Sequence, residues 1–154
     1  MEDESTLRSH EDRMSLIEGL ENGSLDMIAN DHAPHTAQEK NQPMDKAPFG
    51  IVSLETSFAL LYTEFVVNQK RWSLPQLVNW MSKAPAKRFK LDGIGEIKEG
   101  NNADIILVDM NHEYTIDASK FESMGKNTPF DGWKVACQIK QTFVKGKEVW
   151  KKEA

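Results

Sequence analysis

A short apolar run, Met27-Ile28-Ala29, stops at Asn30-Asp31-His32-Ala33-Pro34-His35, and this junction constrains the fold more than any other stretch of the chain. The segment from Ser24 to Asn30 is too short for a packed helix, so the pattern predicts a buried strand. A strand of this kind delivers a carboxylate and imidazoles to its carboxyl end. In open α/β sheets and in barrels, that end is where active sites assemble.

The flanks agree with an α/β class. Met14, Ile17 and Leu20 recur at helical spacing between His10 and Asn22, with Ser9 placed to cap the helix and Gly23 to end it. Asp31 to Ser53 has no sustained periodicity and contains Pro34, Pro43, Pro48 and Gly50, which marks a long loop of the sort that usually carries function. Leu54, Phe58, Leu61, Tyr62 and Phe65 then predict a helix ending near Gln69. Ser73 is placed to cap a second helix with Leu74, Leu77, Val78 and Met81 as its apolar stripe, and Ala84 to Phe89 predicts a short third one. Past a boundary at 91–95 the pattern turns to strands, at Ala103 to Val108, Cys137 to Phe143 and Glu148 to Trp150. Val144-Lys145-Gly146-Lys147 reads as a hairpin turn. Two regions follow, 7–92 and 93–154, the second mostly β. The stretch 110–134 yields little beyond a turn at Thr128-Pro129-Phe130.

Bulk properties exclude several roles. A net charge of -5 argues against binding a phosphate backbone, and the C-terminal lysines alternate with apolar and acidic residues as on a solvated strand face. No apolar window approaches the length of a membrane span, and Met1-Glu2-Asp3-Glu4 opposes the basic start of a signal peptide, so a cytoplasmic protein is expected. The single cysteine, Cys137, reads as a small buried hydrophobe in a reducing compartment.

Three chemistries are open to Asp31: ligation of a metal, general-base catalysis, or capping of the loop through backbone N–H groups. His35 suits donation of a hydrogen bond or positive charge to an anionic group, whereas His32 suits packing or support behind the site. His32 and His35 alone fall short of the three or four ligands of a zinc site, and His10 and His112 lie in unrelated segments. In Ala47-Pro48-Phe49-Gly50, glycine permits close approach of backbone to a flat ligand and Phe49 offers an apolar wall; a plain turn into the next helix is the competing reading. Glu39 and Lys40 read as solvated loop charges, and Glu55 as a favourable charge in a first helical turn.

Taken together and in order, Leu7-Arg8-Ser9-His10-Glu11-Asp12-Arg13, Ile28 to Thr36, Glu39-Lys40, Ala47 to Ile51 with Leu54-Glu55-Thr56, Ser82 to Ala86, Gly100 with Ala103-Asp104-Ile105, Asn127 to Phe130 with Gly132-Trp133, and Val144 to Lys147 resemble the C-terminal portion of a bacterial dihydroorotase. The resemblance implies the amidohydrolase superfamily: a metal-bearing (β/α)8 barrel, here its last helix–strand–helix units, with part of a small β module built from both chain ends. It implies reversible hydrolysis of dihydroorotate to N-carbamoyl-aspartate in pyrimidine biosynthesis. Asp31 then matches a zinc ligand that shuttles a proton, His35 a contact to the substrate carboxylate, and Phe49 and Gly50 backbone contacts to the ring. Dihydropyrimidinases and allantoinases are relatives of the same fold.

Departures from the family pattern matter as well. Glu4-Ser5-Thr6 stands where members carry Asn-Pro-Pro, and Asn30 replaces the usual threonine. The His-x-His of the first barrel strand, the bridging carboxylate, the further metal histidines and the substrate-binding arginine are absent from the 154 residues. The expectation is a chain inactive alone, with zinc held only in a complete enzyme and a small molecule as its substrate. Exposed edges are expected to be covered by an N-terminal portion or by self-association. A non-catalytic interaction or regulatory protein derived from an amidohydrolase is the competing class.

Overall fold

The computed structural model describes residues 9–152. Leu7-Arg8 and Glu4-Ser5-Thr6 lie outside the described residues. Helix α1 (His10–Asn22) opens on a reciprocal cap: Ser9 Oγ accepts the Asp12 N–H, and the Asp12 carboxylate accepts the Ser9 N–H. It closes on Gly23 in the left-handed conformation at φ 81°.

The predicted strand at Ser24 to Asn30 does not form. Within the segment, Leu25 N–H donates back to the Gly19 carbonyl of α1 at 2.8 Å and Ile28 N–H to the Trp80 carbonyl at 3.1 Å, and an isolated parallel bridge joins His32 to Ile51 just beyond it. A strand needs a partner, and none of the described segments forms a ladder with this one. The long loop contains an element that periodicity missed, α2 (Ala37–Lys40), capped by Thr36 and Glu39.

The next helix begins at Ser57 rather than Leu54. Ser53 and Leu54 donate their N–H groups to His32 Nδ1 at 3.1 and 3.3 Å, which ties the segment ahead of the helix to the His32 loop, and Thr56, the residue at the N-cap, makes no side-chain cap bond. Helix α3 (Ser57–Leu61) runs into a π-helical continuation, Tyr62–Asn68. There the Thr63 hydroxyl donates to the Ala59 carbonyl and accepts the Ala136 N–H at 2.8 Å, stitching the helix to a strand. Helices α4 (Leu74–Val78) and α5 (Ala84–Arg88), predicted as separate, are joined by a π segment, Asn79–Lys83. Pro85 lacks an N–H and collides with the carbonyl of an ordinary turn; the wider π turn, in which Ala84 N–H reaches Asn79, accommodates it.

Strands β1 (Ile105–Thr115), β2 (Lys134–Val144) and β3 (Lys147–Lys151) form an antiparallel sheet in that order. The β2–β3 turn is a primed hairpin with Lys145 at φ 50° and Gly146 at φ 76°, as its sequence predicts. β1 runs well past its predicted end, because a bulge sets Met110, Asn111 and His112 against Cys137 alone and lets pairing resume at Glu113 and Ala136. The outer edges of β1 and β3 have no strand partner among the described residues.

Two buried clusters hold these elements. Ile17, Trp72, Leu77 and Trp80 form one, with Phe65 stacked on Trp72 at 3.9 Å between ring centroids. Glu21 accepts from Trp72 Nε1 at 2.8 Å and from Arg71 at 2.6 and 2.7 Å, tying α1 to this cluster. Ala59, Ile116, Val135 and Cys137 form the second cluster, between α3 and the sheet.

Burial pushes the Cys137 thiol up to about 11, and Tyr114 beside it is raised in the same sense, first by burial. Between the ordinary thiol value near 9 and this raised one, the unfolded chain releases a proton that the folded chain keeps. Stability is therefore whole below pH 9 and falls as pH rises toward 11, by at most about 1.4 kcal/mol per pH unit from this group. Urea midpoints measured from pH 8 to 11 are expected to fall more steeply for the parent chain than for Cys137→Ala; parallel slopes would refute this.

Candidate functional site

The two ends of the loop from Asp31 to Ser53 are bonded to each other. Ala33 N–H donates to the Ile51 carbonyl at 3.1 Å, and Ser53 Oγ donates to the Asn30 carbonyl at 2.9 Å. With the His32–Ile51 bridge and the His32 ring bonds, these fasten the two ends of the loop side by side. His32 supports the backbone through Nδ1, as its sequence reading held.

Asp31 sits at the head of this assembly, exposed, with its backbone at φ 45°. Aspartate is one of the few non-glycine residues that visit the left-handed region at modest cost. Its carboxylate makes no hydrogen bond or ion pair among the described residues. That separates it from the carboxylates nearby that do hold structure. Glu39 accepts from the Thr36 N–H and hydroxyl at 2.8 Å each, which holds its carboxyl below the usual range, with His35 a lesser contributor. Glu55 accepts from the N–H groups of Glu122 and Ser123 at 2.9 and 3.0 Å.

His35 is half-buried, with Nδ1 3.8 Å from the Glu39 carboxylate. Gly50 packs directly against the stretch Ala33 to His35: a Cβ on it would lie 2.6 Å from the Ala33 Cβ, 2.7 Å from the Ala33 carbonyl oxygen and 3.3 Å from His35 Cδ2. His35 and Gly50 are thus brought together. Phe49 projects into solvent, 57% exposed, beside a buried Gly50.

The region beyond β1 contributes more than the sequence discloses. Glu55, predicted to serve its own helix, instead clamps residues 122–123. The following Gly125 is pressed onto the loop so closely that a Cβ there would come within 2.8 Å of the His35 carbonyl oxygen. Asn127 accepts the Val52 N–H through its backbone carbonyl at 2.8 Å and donates from Nδ2 to the Gly50 carbonyl at 3.1 Å. Lys40, read from sequence as a solvated charge, donates to the Pro48 and Gly50 carbonyls at 2.8 and 3.2 Å. The signal in this part of the loop is the Thr36-x-x-Glu39 spacing, which fits a capping box starting α2, the helix that Lys40 ends.

A cavity of about 180 Å³ lies between α3 and the sheet, lined by Glu55, Tyr114, Cys137 and Gln138 among others, and none of Asp31, His35, Phe49 or Gly50 reaches it. Among the described residues no three His, Cys, Asp or Glu side chains are grouped so as to hold a metal ion. Asp31 offers one carboxylate and His32 has spent one ring nitrogen on the backbone, so these residues do not by themselves fit a metal centre. No helix of the described residues is long and apolar enough to cross a membrane.

Residues 3–149 match the amidohydrolase family, and the chain belongs to that family. Within it, the likeness to the C-terminal portion of bacterial dihydroorotases stands. The chain is 53% identical to the dihydroorotase of Anoxybacillus flavithermus over 146 residues, covering 95% of this chain and 34% of that protein. With the dihydroorotase of Halalkalibacterium halodurans the identity is 50% over 147 residues, covering 96% and 34%. Among solved structures, the L-hydantoinase (dihydropyrimidinase) of Arthrobacter aurescens superposes with a TM-score of 0.87 at 35% identity, over 99% of this chain and 35% of that one. The D-hydantoinase of a Thermus species gives 0.86 at 25% identity, over 97% and 33%. The chain spans about a third of the length of the curated relatives it matches.

Proposed function

We propose that this chain is the part of a dihydroorotase-type enzyme that presents Asp31 to a cyclic amide. The complete reaction is reversible hydrolysis of dihydroorotate to N-carbamoyl-aspartate in pyrimidine biosynthesis. Water oxygen bonds to the ring carbonyl carbon, the carbon–nitrogen bond breaks, and the departing nitrogen gains a proton. The Asp31 carboxylate takes that proton from water and returns it to nitrogen. His35 faces the substrate carboxylate, and the backbone at Phe49 and Gly50 faces the ring.

The observation that carries this reading is the Asp31 carboxylate itself: exposed, held by a left-handed backbone, and committed to no structural bond among the described residues. A capping aspartate accepts loop N–H groups, as Glu39 and Glu55 do here. Strain spent on aiming an otherwise unoccupied group is a mark of functional positions. The family is generally metal-dependent. Zinc belongs to the complete enzyme, with Asp31 one of its donors and the others supplied from outside this chain.

In this reading, residues 7–92 are the last units of a (β/α)8 barrel and 93–154 part of a composite β module. The segment before Asp31, which joins no sheet among the described residues, is then a barrel strand without its neighbours, and the open edges of β1 and β3 await strands from an N-terminal portion. A dihydropyrimidinase reading draws on the fold neighbours, but 53% identity to dihydroorotases against 35% to a hydantoinase favours the former.

Joining the chain to the part of the Anoxybacillus flavithermus protein that it does not match gives the test. The chimera is expected to hydrolyse dihydroorotate, and the 154-residue chain with added zinc to show no turnover. An inactive, folded chimera would point to a non-catalytic derivative of the family; preference for hydantoin would point to a dihydropyrimidinase.

A further inference from the structure

We infer that Lys40 and Asn127 are positioning residues for the Phe49–Gly50 backbone and so govern how tightly the loop holds a cyclic amide; this rests on the dihydroorotase-type reading of the site. Lys40 Nζ donates to the Pro48 carbonyl at 2.8 Å and to the Gly50 carbonyl at 3.2 Å. Asn127 Nδ2 donates to the same Gly50 carbonyl at 3.1 Å.

Each carbonyl fixes the plane of its own peptide unit, because the unit is rigid. The Pro48 and Gly50 carbonyls belong to the peptides on either side of the one that joins Phe49 to Gly50. That middle peptide is therefore anchored at both neighbours, and the directions of its C=O and N–H are set from outside. Hydrogen bonds weaken steeply as their angles close, so a ring read by backbone groups needs such anchoring.

The two anchors arrive from separate parts of the chain. Lys40 ends α2, whose Thr36–Glu39 cap fixes where the ammonium is delivered. Asn127 comes from the segment between β1 and β2, held in place by its own carbonyl on Val52 N–H and, further back, by Glu55 on residues 122–123. Gly50 cannot slide to compensate, with Ala33 and His35 packed against it. The region between β1 and β2 thus reaches the Gly50 carbonyl through the Asn127 amide.

The test uses the chimera with Lys40→Met, which keeps the stem and removes the donors, and with Asn127→Ala. Each is expected to raise KM about 10-fold with kcat changed less than about 3-fold, the pattern of lost ground-state binding. Lys40→Arg should recover part of the loss, and Lys46→Met, an exposed lysine of the same loop, should change neither constant. Unchanged KM in an active chimera would overturn this inference and leave the dihydroorotase reading intact, whereas an inactive parent chimera would overturn both. If Lys40→Met fails to fold, Asn127→Ala, which removes one of two donors on Gly50, decides on the same criteria.

Discussion

Asp31→Asn in the active chimera is expected to lower kcat by at least about 10²-fold while leaving the melting temperature almost unchanged. Proton transfer by a positioned carboxylate contributes about 10²–10⁴-fold in general, and the amide of asparagine neither accepts nor returns a proton at neutral pH. The substitution preserves shape, and asparagine tolerates the left-handed backbone at φ 45° as well as aspartate does. Because the carboxylate holds no structural bond among the described residues, little stability is at stake. Loss of activity with a retained fold therefore separates a catalytic carboxylate from a loop cap. A cap would give the reverse: a loss of about 0.5–2 kcal/mol in stability and modest change in rate. Stopped-assay turnover and a thermal melt on the same preparation decide between them.

The parts of this protein legible in its sequence are those fixed by local rules. Ser9 and Ser73 cap helices because a hydroxyl beside free N–H groups acts over three residues, and Lys145-Gly146 turns a hairpin because two positive φ angles in a row define the turn. Readings failed where a partner distant in sequence decides. Ser24 to Asn30 has the composition of a strand, but composition cannot supply the neighbour that makes one. Leu54 fits a helical stripe and Glu55 a first helical turn, yet the helix begins only at Ser57; Ser53 and Leu54 are tied to His32, more than twenty residues earlier, and Glu55 to residues 122–123. At the site, Asp31, His35 and Gly50 stand out in the sequence as residue types, whereas Lys40, Glu55 and Asn127 look like surface polars. Their roles come from bonds of 2.8 to 3.2 Å to backbone atoms that no periodicity announces.

Gly50→Ala is expected to be the most damaging single-methyl change in the loop, costing roughly 2–6 kcal/mol. The lower part of that range is the strain of an L residue at φ 128°, and the rest is overpacking. A new Cβ would stand 2.6 Å from one methyl and 2.7 Å from a backbone oxygen of Ala33, neither of which is the far end of a flexible side chain. The backbone at Gly50 must move, and with it the carbonyl that Lys40 and Asn127 hold. Gly23→Ala supplies the comparison, since φ is 81° there but nothing lies within 4 Å of the added methyl, so only the conformational cost of about 1–2 kcal/mol applies. For a chain of this length each kcal/mol lowers the melting temperature by roughly 2–4 °C, so the two variants should be clearly resolved in a thermal melt. Ala33→Gly added to Gly50→Ala removes the methyl contact but not the clash with the Ala33 carbonyl, and should restore only part of the loss. Equal destabilisation by Gly50→Ala and Gly23→Ala would show that the packing of Gly50 on the Asp31–His35 segment is looser than these distances, and that the site backbone is not held by it.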